Sequence, residues 1–314
     1  VAVRFKHFEG DATLKFDILA AKEKPVDFAD ADVVIFVGGI SPQLEGEEMK
    51  VSVPGFRGGD RESIELPSVQ RQLIKKIKHA GKKVVYVNCS GSAVALTPED
   101  EICDAVLQAW YPGQAGGRAV AEVLFGDYNP GGRLPITFYK DDSQLPDFED
   151  YSMVGRTYRY FKGEPLYPFG HGLSYTTFKY GKPKYSSTCV KAGEPVKVTV
   201  PVKNTGKMDG DEVVMVYVSC PADVSGPIRN LKGFKRVHIP AGKTEKVEIT
   251  LGGDAFAVFD SESQRVVTRP GKYVVHMPEG EQEIIVKKKK KYLKGRRPNL
   301  RVWLTALDNF IYEL

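Results

Sequence analysis

Two tryptophans, four cysteines and five histidines are scattered through 314 residues. Their scarcity excludes several chemistries. Cys89, Cys103, Cys189 and Cys220 form no CxxC pair, and none stands at zinc-ligand spacing from a histidine. No acid pairs with a histidine at ligand spacing either, so no metal is expected; no other cofactor is expected. Cys189 and Cys220 both fall in a β-rich region, which leaves a disulfide between them, and the redox compartment, open. No run of about 18 apolar residues occurs, so no membrane-spanning helix is expected. The opening VAVRFKHFEGDATLKF lacks the basic, apolar and small-residue order of a signal peptide. It also lacks an initiator Met, so the natural start is expected upstream.

A marked excess of one charge occurs only at one end. The net charge is +5, but residues 287–314 carry nine Lys/Arg and two Asp/Glu, a net of +7. The remaining 286 residues therefore sum to −2. The body makes no electrostatic case for nucleic acid. The basic tail, KKKKKYLKGRRPNLRVWLTALDNFIYEL, does not continue the pattern before it. Trp303, Leu304, Leu307, Phe310 and Ile311 fall on one face if that segment is helical.

What is present has two periods. From residue 12 to 140, strand-like and helix-like stretches alternate. DVVIFVGG (32–39) is short, apolar and β-branched, as a strand buried on both faces would be. PSVQRQLIKKIKHAG (67–81) reads as an amphipathic helix with Leu73, Ile74 and Ile77 on one face and Gly81 just past its end. KKVVYVNCSG (82–91) is the next strand, AVLQAWYP (105–112) a third apolar run, and Ala119–Phe125 a second helix closed by Gly126. This order predicts a mostly parallel, helix-flanked sheet. Gly113, Gly116 and Gly117 lack the Lys and Ser/Thr of a phosphate loop and read as a strand-to-helix turn.

Residues 141–187 are aromatic and rich in Gly and Pro without a clear period, which suits an ordered segment packed between domains. Residues 188–287 alternate with period 2 between Gly, Pro and Asn turns. They read as a seven-stranded sandwich, of fibronectin type rather than immunoglobulin type because the Cys…Trp…Cys signature is missing. The expected parts are therefore 1–140, an α/β sandwich domain; 141–187, the interdomain segment; 188–287, the β-sandwich; and 288–314, the tail.

Sites in parallel sheets form in loops beyond the carboxyl ends of strands. There the chain places LEGEEM, with Glu45, Glu47 and Glu48 within four positions. Either these acids are surface charge or one of them handles a proton.

Five phrases in order carry a resemblance: LEGEEM, GGDRESIELPSVQRQLI, AWYPGQAGGRAVAEVLFGDYNPGGRLPITF, RTYRYF and PLYPFGHGLSYTTF. Over roughly residues 25–285 the chain resembles the C-terminal half of glycoside hydrolase family 3, most nearly its β-xylosidases and β-glucosidases. The resemblance implies an α/β sandwich domain carrying the general acid/base glutamate on a loop, followed by a fibronectin type III-like domain. It also implies an N-terminal TIM barrel with the aspartate nucleophile, which this chain lacks, and no Ser-Asp-Trp motif occurs. The partners implied are a terminal β-xyloside or β-glucoside and a barrel supplied in cis or in trans. The location implied is extracytoplasmic. Retaining hydrolysis needs two carboxyl groups about 5–5.5 Å apart, so a loop reaching across a domain boundary can supply one of them.

Glu47 is the first candidate for the acid/base and Glu45 the second. The other glutamate would orient sugar hydroxyls or hold up the acid's pKa. Arg156 and Tyr158, with Arg159 and Tyr160, are candidates for a sugar subsite by stacking and hydrogen bonding, against a plain interdomain-packing role. Asp60–Arg61 reads as a local ion pair at the entry to the helix, and His171 as a turn or packing residue. The alternative function is a noncatalytic carbohydrate-binding or assembly module.

Overall fold

A computed structural model describes residues 30–288 of the chain. The apolar face expected at 303–311 lies outside the described residues.

The first sheet has three parallel strands, Val33–Gly39, Lys83–Cys89 and Ala105–Gln108, with Lys83–Cys89 in the middle. Between the first two the chain makes a small antiparallel meander, Ser52–Val53, Phe56–Arg57 and Asp60–Arg61, and then the helix Ser68–His79. Pro67 caps that helix at φ −49°, which its ring favours. Ile74 and Ile77 are buried and Leu73 half-buried against Ile40, Leu66, Val84 and Tyr86, as the periodicity requires. Lys76, Lys78 and His79 lie at the negative end of the helix dipole.

A second helix, Thr97–Ile102, has only six residues, too few to display a 3.6-residue period. A third, Gly116–Phe125, begins three residues ahead of the expected Ala119 and stops at left-handed Gly126.

The first strand departs from expectation. Val33, Ile35 and Val37 are 46%, 44% and 51% exposed, while Val34 and Phe36 pack into the core. An unbroken apolar run looks the same whether one face or both are covered. Among the described residues only one face is.

The second unit is a sandwich. One sheet holds Thr244–Leu251, Val196–Asn204 and Phe178–Tyr180, with Lys184–Tyr185 also on Val196–Asn204. The other runs Asn230–Ile239, Gly210–Ser219, Gly271–Met277, Gly280–Lys287, Cys189–Lys191, the last pair parallel. Among the described residues the two sheets hold nine strands: the seven expected over 188–287, and two more contributed by the segment read as irregular. Short edge strands such as Phe178–Tyr180 and Lys184–Tyr185 have too few residues to show alternation. Val196, Val198, Val200 and Val202 from one sheet face Val214, Val216 and Val218 from the other. Strict alternation along each strand makes that single valine-rich core. All four cysteines are free thiols, so Cys189 and Cys220 are not joined. Burial raises the Cys89 thiol and, with Glu99 nearby, pushes Cys103 up to about 11.

The segment between the sheets is pinned to both. Phe138 and Tyr167 exchange backbone hydrogen bonds at 2.9 and 3.1 Å. His171 stacks on Tyr167 with centroids 5.0 Å apart, and its carbonyl accepts from Leu134 N–H. Arg133 meets Glu212 of the sandwich, and Asn129 donates to the Asp209 carbonyl.

Candidate active site

The loop that carries the three glutamates starts where the first strand ends. Ile40 N–H donates to the Cys89 carbonyl at 2.8 Å, keeping the two strand ends together for one more residue. Gly39 adopts φ +120°, and a Cβ there would stand 2.0 Å from that carbonyl oxygen. Only glycine fits, and the loop's exit direction follows from it. Further along, Met49 N–H donates to Gly58 O and Gly58 N–H to Val51 O, which lays the loop against the meander. Gly59 approaches so closely that a Cβ would sit 1.6 Å from Gly46 O.

This packing directs Glu45 inward. Its Oε1 accepts from Ser92 Oγ at 2.7 Å and lies 3.6 Å from Arg61 Nη1, and its Oε2 accepts from Tyr111 Oη at 3.1 Å. Ser92 and Tyr111 come from loops after the second and third strands, so all three strand ends converge on one carboxylate. Glu47 lies two residues on, exposed, with no hydrogen bond or ion pair among the described residues. Glu48 is also exposed, at φ +51°. Beside the loop opens a cleft of about 640 Å³, lined by Glu45, Glu47, Asp60, Arg61, Tyr139 and Leu145 among others.

Arg61 is the main cation of the cleft, its side chain 11% exposed. Burial lowers its pKa, with Glu45 pulling the other way. Its Nη1 donates to Ser92 Oγ and to the Ala93 carbonyl, and its Nε to the Ser63 carbonyl. Its Nη2 is buried and has no hydrogen-bond partner among the described residues. The expected local pair with Asp60 does not form. In the tight turn of the meander, Arg61 turns to Glu45, sixteen positions away, while Asp60 lines the cleft. Tyr111 has its phenol pKa raised by burial and by Glu45.

Arg156 and Tyr158 do not line this cleft. Arg156 clamps its own loop through the carbonyls of Asp147, Asp150 and Ser152. Tyr158 stacks on Phe169 at 4.2 Å, packs edge-on to Tyr217 of the sandwich and accepts from Leu231 N–H. Arg159 lies over the Tyr160 ring. The segment reaches the cleft through Leu145, and its Thr157 N–H donates to the hydroxyl of Tyr139, which also lines the cleft. His171 is half-buried in the domain contact, and burial, then Arg133, lowers its pKa.

Ser92, Tyr111 and Tyr139 escaped sequence reasoning. One signal was available for the serine: Asn88, Ser90 and Ser92 alternate with period 2 at the end of a buried strand, where polar side chains need partners. Another arrangement invites a catalytic reading: Ser219 Oγ, His276 Nε2 and Nδ1, and Glu281 Oε1 are linked at 2.7 and 2.8 Å. Glu281 faces His276 directly across the sheet, so strand register accounts for their contact. The cavity beside Ser219 is only about 10 Å³, the size of one water.

The profile described as "Glycosyl hydrolase family 3 C-terminal domain" matches residues 19–175, and that described as "Fibronectin type III-like domain" matches 212–280. A xylan 1,4-beta-xylosidase of Xylanibacter ruminicola is 52% identical over 283 residues, covering 88% of this chain and 32% of that protein. A periplasmic beta-glucosidase of Salmonella typhimurium is 37% identical over 258 residues, covering 78% of this chain and 32% of that protein. The crystal structure of a beta-glucosidase from Listeria innocua in complex with isofagomine superposes with a TM-score of 0.69 at 29% identity, covering 83% of this chain and 37% of that one. A b-glucosidase structure from Erythrobacter marinus gives 0.70 at 33% identity, covering 82% and 35%. The chain thus spans about a third of the length of the relatives it matches.

Proposed function

The chain belongs to glycoside hydrolase family 3, and from that premise we propose that it is the C-terminal portion of a retaining β-glycosidase acting on terminal β-xylosides or β-glucosides. The observation that carries this reading is the contrast between two glutamates on one loop. Both oxygens of Glu45 are occupied by donors from neighbouring loops. Glu47 borders the open cleft with no such partner.

Glu47 is the general acid/base in this reading. A barrel carboxylate, supplied in cis or in trans, attacks the anomeric carbon. Glu47 gives its proton to the leaving oxygen and then takes one from the water that hydrolyses the glycosyl-enzyme. Glu45 is the fixed neighbour that shapes the cleft and orients a substrate hydroxyl. Tyr139 and Leu145 give the leaving group an apolar wall, as ring faces of sugars require.

The test uses p-nitrophenyl β-xyloside and β-glucoside. The purified chain should be inactive alone and should support turnover when a family 3 barrel is added. In the complemented enzyme, Glu47→Gln should lower kcat by roughly 10²–10⁴. Turnover by the chain alone would overturn the barrel's role, and full turnover by Glu47→Gln would overturn the assignment. Binding without turnover, even with the barrel, would favour a noncatalytic module.

A further inference from the structure

We infer that Ser92 is a positioning residue for Glu45, the pivot through which a buried polar network on the sheet sets the direction of that carboxylate. The inference rests on reading the Glu45–Glu47 loop as the acid/base loop.

The direction of each hydrogen bond follows from which groups can donate. A guanidinium only donates and a carboxylate only accepts. Arg61 Nη1 stands 2.8 Å from Ser92 Oγ, so the hydroxyl must accept there. Its single proton is left for Glu45 Oε1 at 2.7 Å. The rotor therefore has one consistent setting.

The backbone around Ser92 is fixed as well. Its carbonyl accepts from Ser90 Oγ at 2.8 Å, and the Ala93 carbonyl accepts from Arg61. Ser90 Oγ in turn receives Asn88 Nδ2 at 3.0 Å and Gln108 Nε2 at 3.2 Å. Asn88 Nδ2 also donates to Gln108 Oε1, and Asn88 Oδ1 accepts from Tyr86 Oη. Tyr86, Asn88 and Ser90 are each 0% exposed. A buried network in which every member is paired resists rearrangement, because any lost partner leaves a desolvated polar group. The chain of contacts runs from the core at Tyr86 to a carboxylate at the cleft.

A tie that only held the loop down could end on any backbone group. This one ends on Glu45, whose other oxygen is held by Tyr111 from the third strand's loop. Two anchors on two oxygens define the plane of the carboxyl group, and Ser92 is the anchor joined to the core.

Hydrogen exchange of the 314-residue chain, read by mass spectrometry, tests this. In Ser92→Ala, amides of residues 41–49 should exchange about tenfold faster, equivalent to about 1.4 kcal/mol, with the melting temperature little changed. Ser92→Thr keeps the hydroxyl and should exchange like the wild type. Should the alanine variant not fold, Ser92→Cys, nearly isosteric but a weak donor, makes the same comparison. Unchanged loop exchange in the folded variant overturns the inference. In the barrel-complemented enzyme, Ser92→Ala should lower kcat about tenfold with KM nearly constant. Faster loop exchange with full turnover in both Ser92→Ala and Glu47→Gln would leave the positioning intact and sink the acid/base reading instead.

Discussion

Arg133 Nη2 lies 2.5 Å from Glu212 Oε2, across the boundary between the parallel sheet's domain and the sandwich. Both side chains are about one-tenth exposed, at 11% and 10%. The second oxygen of Glu212 accepts from Tyr180 Oη at 2.8 Å, so the carboxylate is paired twice in a dry contact. Removing one partner strands the other. Arg133→Ala should cost about 3–5 kcal/mol in urea unfolding, whereas the double variant Arg133→Met/Glu212→Leu should recover most of that loss.

The exit of the glutamate loop depends on Gly39. At its φ of +120°, an added methyl would come within 2.0 Å of Cys89 O, which leaves no room for a side chain. Gly39→Ala should destabilise the chain by about 2–5 kcal/mol. Gly242 provides the control: it sits at φ +72° with open space around it. Gly242→Ala should cost about 1 kcal/mol, the penalty of a left-handed backbone alone. Equal melting-temperature losses in the two variants would contradict the steric account.

His171 adds a pH dependence. Burial, then Arg133, holds its folded pKa below the ordinary value of 6.5, against a smaller opposing pull from Asp100. The unfolded chain therefore binds this proton more readily than the folded one. Stability is fully present above about pH 6.5 and falls as pH drops from there through the lower folded value. Melting temperature should decline over that window, and less steeply in His171→Gln. Identical slopes would remove His171 from the explanation.

Tyr111 reports on Glu45. Burial raises its phenol pKa first, and the Glu45 charge and hydrogen bond raise it further. Glu45→Gln removes the charge but not the burial. The phenol should therefore titrate lower than in the wild type, partway back toward 10. A near-ultraviolet difference titration against Tyr111→Phe isolates this group. No downward shift would mean that Glu45 does not face Tyr111 in solution.

Much of the fold was legible because it repeats. Leu73, Ile74 and Ile77 recur at helical spacing, and Val196 to Val202 alternate at strand spacing; each pattern needs only local geometry to be read. Thr97–Ile102 and the short edge strands were invisible, since they are too short for a period to recur within them. The second face of Val33–Gly39 was misread because an apolar run does not say how many of its faces are covered.

Neighbouring residues were enough to place the longer elements, the family and the LEGEEM stretch in which the acid/base glutamate is sought, because period, turn chemistry and motif are local properties. What each side chain faces came from the folded chain alone. It turned Arg61 from its neighbour Asp60 to Glu45, drew Arg156 and Tyr158 away from the cleft, and brought Ser92 and Tyr111 onto one carboxylate. The contacts on Glu45 join residues up to 66 positions apart. They arise because parallel strands deliver their ends, and the loops beyond them, to the same edge of the sheet.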